Sequence, residues 1–443
     1  KGCCIFYARR PEMETAAEKL SFLNTAKLGE IAFEEIRPDA KHNWINLTAN
    51  DFDTLIPVAS RSAKRMARSE SARVIFGTFC SGIKTNRDEW VYDFSGPELS
   101  RKVSFFHARL HDVVQDSADP NKVRDLKWSR DLKKKVKRGI SATPAAGHQV
   151  LSLWRPFVKK PYWVNKTLSD IFTEHHVRAY GSDLGTENPT IAFLCVYSSN
   201  PLAALATTGP LDYCLLKRGN GGTESLPRWS HLQDGTRREN ITDWALDQFR
   251  KHYQPGRGRK ANPITKDAIF HYVYAVLHDP IYREKYAINL KREFPRIPFY
   301  EDFWQWAAWG KALMDMHIGF EAVEPFPLTR TDTADEKARK AGLPPKAILK
   351  SDREHGRIVL DSETTLSGIP ASAWDYKLGN RSALDWVLDQ YKEKKPKDPT
   401  IRAKFNTYRF ADYKERVVEL LRRVTIVSVE TMKIVEAMRA AAR

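Results

Sequence analysis

The chain has 443 residues, with 72 Lys and Arg against 55 Asp and Glu and a formal net charge of +17. This excess of positive charge favours a polyanionic partner, of which nucleic acid is the most common. The 42% hydrophobic content is that of a soluble protein with two or three domains, and no run approaches the ~18 apolar residues of a membrane span.

The amino-terminal part is predicted to contain two short strands and a helix. The strands cover 1–10 and 31–36, and the helix covers 15–24. The chain starts inside a strand-like run without an initiator methionine or a signal-peptide pattern. We therefore expect a piece of a longer polypeptide whose missing part lies upstream. Residues 57–75 then form a basic connector.

A glycine-bearing turn in the next segment is the first candidate for DNA contact. Residues 74–94 predict a strand, a turn at Gly82 and a second strand. Arg and Lys can bond guanine edges and Asn can bond adenine bidentately, so the turn supplies candidate base readers. The alternative is a loop whose polar groups cap their own backbone. The candidates are Lys84, Thr85, Asn86 and Arg87.

A helix is predicted over 99–116, and a strongly basic run follows over 122–138. Such a run can neutralise several phosphates, which fixes position without reading sequence. The alternative is a solvated helix face. The candidate phosphate ligands in the run are Arg130, Lys133, Lys134, Lys135, Lys137 and Arg138.

Two further segments are candidates for backbone contact. In 154–163, WRPFVKKPYW, aromatic residues alternate with cations including Lys159 and Lys160, and the alternative is that the aromatics belong to a core. In 254–263, QPGRGRKANP, glycines would let the backbone approach a phosphate near Arg257, Arg259 and Lys260. A flexible linker is the alternative for this second segment.

The rest of the chain predicts an α+β fold, in which a β-rich middle precedes a mainly helical carboxyl-terminal part. Residues 190–230 alternate β-like runs with turns, and helices are predicted from Thr265 onward. A hairpin is expected over 346–363, and helices over 382–390 and 408–443. The helical spacing of Trp304, Trp306 and Trp309 predicts core positions.

No motif for catalysis or metal binding stands out. The sequence has no G-x-x-x-x-G-K-[ST] loop and no Asn/Asp-Pro-Pro-aromatic motif. The acidic pairs considered for a nuclease, Asp51 with Asp53 and Glu34 with Glu35, lack the separated Asp…Glu-x-Lys layout and are interpreted as solvated surface acids. Its five cysteines lack the paired C-x-x-C spacing of a zinc site, which predicts reduced thiols. We therefore predict no catalytic residue, no metal site and no bound cofactor in these residues.

Five sequence blocks, in this order, resemble the carboxyl-terminal part of a Type ISP restriction–modification enzyme, namely its methyltransferase tail followed by its target-recognition region. The resemblance covers nearly the whole chain. The blocks are IRPDAKHNWIN (36–46), SGIKTNRDEWVYDF (81–94), WRPFVKKPYW (154–163), IFHYVYAVLHDPIYREKYAINLKREFPRIPF (269–299) and WDYKLGNRSALDWVLDQY (374–391).

The resemblance implies a division of the chain. Residues 1–56 would end the methyltransferase core and 57–75 would connect it to the rest. Residues 76–262 would form the α/β target-recognition subdomain and 263–443 its mainly helical carboxyl-terminal part. The full family enzyme carries nuclease, helicase-like, coupler and adenine-N6 methyltransferase domains, uses S-adenosylmethionine, ATP and Mg²⁺, and resides in the bacterial cytoplasm.

The function expected from these observations is sequence-specific recognition of double-stranded DNA in a restriction–modification or phage-defence enzyme. Adenine methylation and cleavage would be performed by upstream domains outside this chain. One alternative is an enzyme fragment with residual methyltransferase or nuclease activity. Another is a scaffold that docks other subunits through an exposed apolar face of the helix over 408–443.

Overall fold

The computed structural model has a mixed α+β fold, which confirms the predicted class. It describes residues 4–11, 14–38, 44–45, 50–60, 73–139, 147–194, 200–216, 222–232, 234–254 and 263–443.

The described strands are short, and the longest has eight residues. They are β1 (Ile5–Tyr7), β2 (Glu34–Ile36), β3 (Ile56–Pro57), β4 (Cys80–Ser81), β5 (His148–Arg155), β6 (Val158–Val164), β7 (Thr190–Leu194), β8 (Ala203–Thr207), β9 (Glu224–Pro227), β10 (Trp229–His231), β11 (Arg237–Glu239), β12 (Arg296–Ile297), β13 (Thr329–Asp332), β14 (Ala347–Asp352), β15 (Arg357–Asp361), β16 (Thr364–Ser367), β17 (Lys377–Leu378) and β18 (Arg381–Ser382).

The described α-helices range from four to 27 residues. They are α1 (Ala16–Thr25), α2 (Asp88–Val91), α3 (Gly96–Gln115), α4 (Arg130–Lys137), α5 (Glu174–Tyr180), α6 (Asp243–Tyr253), α7 (Lys266–Val276), α8 (Pro280–Lys285), α9 (Ala287–Arg292), α10 (Phe303–Ile318), α11 (Glu336–Lys340), α12 (Ala371–Asp375), α13 (Ala383–Tyr391), α14 (Pro399–Lys404) and α15 (Lys414–Ala440).

A four-stranded antiparallel sheet in the order β4-β9-β7-β8 separates two hydrophobic cores. Every residue of β7 is buried. Because successive side chains of a strand point to opposite faces, Ala192 and Leu194 pack into one core while Ile191 and Phe193 pack into the other. A second four-stranded sheet, β13-β16-β15-β14, lies beside the first core, and the remaining strands form two-stranded pairs.

The first core joins α3, the β5–β6 hairpin, α13 and most of α15. The second core joins residues of 52–79 to α6, α7 and α10. The closest helix approach is at Gly310, where an added Cβ would lie 1.8 Å from the carbonyl oxygen of His271, so only glycine permits this α7–α10 contact.

Helix α15 connects the two cores. Val417, Leu421 and Val424 are buried in the first core and Met438 in the second. Beyond the helix, the Arg443 guanidinium donates to the fully buried Asp279 carboxylate at 2.6 Å. The apolar face of this helix is therefore covered within the chain. The scaffold alternative depended on an exposed apolar face here and loses that support.

Several predicted elements are confirmed, and the second strand predicted within 74–94 is wrong. The 346–363 hairpin corresponds to β14 and β15, and the helices over 99–116, 382–390 and 408–443 correspond to α3, α13 and α15. The second strand predicted within 74–94 is instead the short helix α2, where Trp90 contacts Phe106 and Phe405 and donates to Asp398. These tertiary contacts override strand propensity.

The core positions predicted for the tryptophans are confirmed for Trp306 but not for Trp304. Trp306 is buried at a position facing the second core, as its spacing predicts. Trp304 is 40% exposed, because it lies on the opposite side of α10. Helical periodicity therefore identifies the helix, but not the width of its buried face.

The cores do not divide the chain at the boundaries drawn from sequence. Strand β3 pairs with β12, so Ile56 lies opposite Ile297, and Val58 and Ile75 are buried in the second core. The ends of the 57–75 segment are thus built into the fold, while 61–72 lie outside the described residues. The functional roles assigned to the four ranges stay predictions.

Candidate nucleic-acid interface

The turn that carries the candidate base readers is held tightly against the scaffold. An added Cβ at Gly82 would lie 2.5 Å from the carbonyl oxygen of Asp212, so glycine is required for this approach. The Lys84 carbonyl oxygen accepts from the amides of Asp170 and Ile171 at 2.8 and 2.9 Å. The turn is therefore fixed by backbone contacts on two sides.

The four candidate base readers are not equivalent. Asn86 is exposed in a left-handed conformation (φ +57°), and its Nδ2 donates to Asp170 at 2.5 Å. Lys84 is half-buried, with its ammonium 5.4 Å from the centre of the Tyr213 ring. Thr85 is fully buried and its hydroxyl donates to the Asp88 carboxylate. Only Asn86 of the four presents an exposed side chain.

Arg87 is buried, in contrast to the base-reading position predicted for it. Its side chain is 0% exposed and pairs with Asp170 at 3.0 Å. The guanidinium also donates to the Leu168 carbonyl and, at 2.7 Å, to the Ser129 hydroxyl. Burial lowers the pKa of Arg87, and the charge of Asp170 opposes that change. In this arrangement the side chain ties three segments together and cannot reach a base.

The basic helix α4 begins at the point where Arg87 makes this contact. The Ser129 hydroxyl caps α4 by accepting from the Leu132 amide at 3.1 Å, and it donates to Asp170 at 2.9 Å. Leu132 is fully buried in the first core. The Lys135 ammonium, whose pKa is lowered by burial, donates to three backbone carbonyls in the 166–169 loop. One side of α4 is thus docked onto the protein.

The other side of α4 is a dense positive surface. Of its predicted phosphate ligands, Lys133 is half-buried and donates to Asn121, while the others apart from Lys135 are exposed. Lys166, which follows β6, adds a cation that the sequence did not single out, because an isolated lysine in a turn carries no pattern. We define the α4 surface by its exposed cations: Lys122, Arg124, Lys127, Arg130, Lys134, Lys137, Arg138 and Lys166.

The two cations on β6 are held in contacts within the chain. Lys159 pairs with Glu321 at 2.7 Å. The Lys160 ammonium lies 4.0 Å from the centre of the Phe94 ring and 5.1 Å from that of Trp154, and burial lowers its pKa to about 7. The aromatic residues around them belong to the first core, which favours the core alternative for this segment.

Three further points concern the cations of the 254–263 segment, metal binding and membrane spans. Arg257, Arg259 and Lys260 lie outside the described residues. Among the described residues, no group of three or more His, Cys, Asp or Glu is placed to hold a metal ion. None of the helices described here is long and apolar enough to cross a bilayer.

Comparison with known proteins identifies relatives of this fold. The family described as the Type ISP C-terminal specificity domain matches residues 74–420. Comparison with curated proteins found no match. Among solved structures, the DrdV–DNA complex determined by electron cryomicroscopy has a TM-score of 0.83 and 43% identity over 97% of this chain and 42% of its own.

Two more distant structures share the fold. A nuclease-deletion mutant of the Type ISP restriction–modification enzyme LlaGI, in complex with a DNA substrate mimic, has a TM-score of 0.70 and 24% identity over 95% of this chain and 38% of its own. The ATP-dependent Type ISP enzyme LlaBIII bound to DNA has a TM-score of 0.72 and 22% identity over 92% of this chain and 26% of its own. This chain therefore spans less than half the length of each of these three structures.

Proposed function

Because the chain belongs to the family of Type ISP C-terminal specificity domains, we propose that it recognises a specific sequence in duplex DNA for a restriction–modification enzyme. The observation that carries this proposal is the α4 surface, where one side of the helix is docked by Leu132 and Lys135 and the other presents cations to solvent. Such a surface can fix the register of a DNA backbone. DrdV, at 43% identity, was solved as a complex with DNA.

In this proposal the chemistry lies in other parts of a longer enzyme. Upstream methyltransferase, helicase-like and nuclease domains would methylate adenine at N6 or cleave the DNA that this chain recognises. They would bind S-adenosylmethionine, ATP and Mg²⁺. The proposal is supported by the length of the DrdV chain, of which this one covers 42%.

The amino-terminal segment would be the junction with the methyltransferase core. Helix α1 has no buried residue, and the segment exposes several large apolar side chains. A cluster of exposed apolar side chains commonly marks an interaction surface. These side chains are Phe6, Leu20, Leu23, Leu28 and Phe33.

The test of DNA recognition is selection from a randomised duplex library with the purified 443-residue chain, followed by fluorescence anisotropy on the enriched sequence. We expect one short sequence to be enriched, and its binding to weaken steeply as salt rises because phosphate contacts release counterions. A folded chain that enriches nothing over the input library would refute the proposal.

Calorimetric titration of the same chain with S-adenosylmethionine tests where the chemistry lies. We expect no binding heat, because the cofactor site would lie upstream. Clear binding would support the alternative of residual methyltransferase activity.

A further inference from the structure

The α4 surface leaves the reading of bases unexplained. Its exposed cations suit phosphates, and phosphate contacts carry no sequence information. Helix α4 has eight residues, about 12 Å of helix, which is short for an interface that buries ~600–1,000 Å² even in single DNA-binding modules. Of the predicted base readers, Thr85 and Arg87 are buried. A second DNA-contacting element is therefore required if the proposed function holds.

The β10–β11 hairpin has the shape for this role. Its strands pair antiparallel, with His231 opposite Arg237. The Leu232 carbonyl oxygen accepts from the Gly235 amide at 3.0 Å, and Gly235 has the positive φ (+82°) that this turn needs. The described turn residues are exposed, and so is all of β11. A two-stranded ribbon of this kind fits the major groove of B-DNA.

The base of the hairpin is anchored by buried polar groups. Asn188 bonds both the amide and the carbonyl of Trp229, at 3.1 and 2.8 Å. The buried Arg228 pairs with Glu239 and, at 2.6 Å, with Asp267. The ribbon is therefore fixed at its base while its tip can enter a groove, the arrangement expected of a functional loop on a rigid scaffold.

The hairpin presents two arginines on different faces. The Arg237 guanidinium lies 4.0 Å from the centre of the Trp229 ring, a cation–π contact that restricts its orientation. Arg238 pairs in register with Ser230 on the other face and is exposed. No ion pair of Arg238 occurs among the described residues, so its five donors can serve a ligand.

The hairpin is connected to the candidate interface by contacting elements. His231 Nδ1 bonds the Arg178 carbonyl oxygen of α5 at 3.1 Å. His176 of the same helix donates from Nε2 to the Ser81 carbonyl oxygen at 2.8 Å, immediately before the turn with Lys84 and Asn86. That turn is joined through Asp170 to Ser129, the N-cap residue of α4. The hairpin is thus linked through α5 and this turn to the start of α4.

We propose that the β10–β11 hairpin enters a groove of the DNA and that Arg238 reads base edges. This inference rests on the proposed function. A bidentate contact from arginine to guanine O6 and N7 is the most common specific contact in the major groove. The α4 surface then holds the backbone, and the hairpin supplies sequence discrimination.

The experiment repeats the library selection with the full 443-residue chain and its Arg238→Ala and Arg238→Lys variants. Lys340→Ala, an exposed cation on α11, is the matched control. We expect Arg238→Ala to reduce the preference at one or two adjacent base pairs by about 10- to 100-fold, with affinity for random duplex nearly unchanged. Arg238→Lys should weaken the same preference less than Arg238→Ala does, because an ammonium can still contact guanine but lacks the planar fork of the guanidinium. Lys340→Ala should change nothing.

The outcomes separate this inference from the proposed function. If the parent chain enriches a sequence and Arg238→Ala enriches it with the same base preferences, the hairpin proposal is wrong and the proposed function stands. An equal loss of affinity for the enriched sequence and for random duplex in Arg238→Ala would make Arg238 a phosphate contact and would also overturn it. If the parent chain enriches nothing, both proposals fail together. Thermal unfolding of each variant establishes that folding is unchanged.

Discussion

Replacement of Arg87 by alanine tests whether this residue reads a base or stabilises the fold through its buried contacts. The Arg87 and Asp170 side chains are 0% and 3% exposed, and breaking such a buried pair typically costs about 3–5 kcal/mol. Asp170 keeps hydrogen bonds from Ser129 and Asn86, so we expect a decrease of about 3 kcal/mol in the unfolding free energy. Arg130→Ala, which removes an 83% exposed side chain from α4, is the control and should change stability by less than ~0.5 kcal/mol.

The same variant should affect DNA binding in a characteristic way. Because Arg87 donates to the Ser129 hydroxyl that caps α4, its removal should loosen the whole helix. Affinity should then fall equally for the enriched sequence and for random duplex. Urea unfolding and fluorescence anisotropy on both duplexes measure the two effects. Unchanged stability with a relaxed base preference would refute this reasoning and restore Arg87 as a base reader.

Three further predictions follow from the same kinds of contact. The combined Lys134→Ala, Lys137→Ala and Arg138→Ala variant should reduce the slope of log affinity against log salt by about 0.9 for each phosphate that is no longer neutralised. Its stability should not change. An unchanged slope would exclude the α4 surface from the DNA interface. Arg443→Ala should lower the unfolding free energy by about 2 kcal/mol, because it leaves the fully buried Asp279 short of a partner, whereas Arg439→Ala should have little effect in the same urea titration. Burial lowers the pKa of His176 to about 4, so the unfolded chain binds a proton at pH 5.5 that the folded chain does not, and stability is lost as pH falls below the ordinary value of 6.5. The stability gap between the parent and His176→Gln should therefore shrink by about 1.4 kcal/mol between pH 7.5 and 5.5, and a constant gap would contradict the buried neutral imidazole.

Patterns that extend over a whole helix or hairpin could be predicted from the sequence. The apolar spacing of α3, α13 and α15 identified those helices, because each has one face in a core. The 74–94 segment could not be predicted, because α2 is only four residues long and is fixed by contacts of Trp90 with residues distant in sequence. Pairing of β3 with β12 was similarly inaccessible, since two-residue strands carry no periodicity.

The candidate site shows a different limit of the sequence. Charge density drew attention to 122–138, where most of the cations are exposed, because a run of cations must expose most of its charges. It could not separate Arg87 from Asn86, although one is buried and the other exposed, because the separation depends on Asp170, 83 residues away from Arg87. The β10–β11 hairpin lacked any such density, and Arg238 became a candidate only when its exposure and the contact of the hairpin with α5 were seen.

Phosphate-binding groups are easier to recognise in a sequence than base-reading groups, and there is a physical reason for this. Phosphate attraction acts over about a Debye length, ~8–10 Å, so it needs many cations but tolerates loose placement. Base reading needs few donors, but each must be held at hydrogen-bond distance from one edge. Here the chain uses buried polar groups, Asn188 and Arg228, to hold a ribbon with only two exposed arginines. Asn188→Ala removes the hydrogen bonds that hold the base of the hairpin and should therefore reduce the base preference. If the hairpin contacted only the DNA backbone, Asn188→Ala would leave the base preference intact.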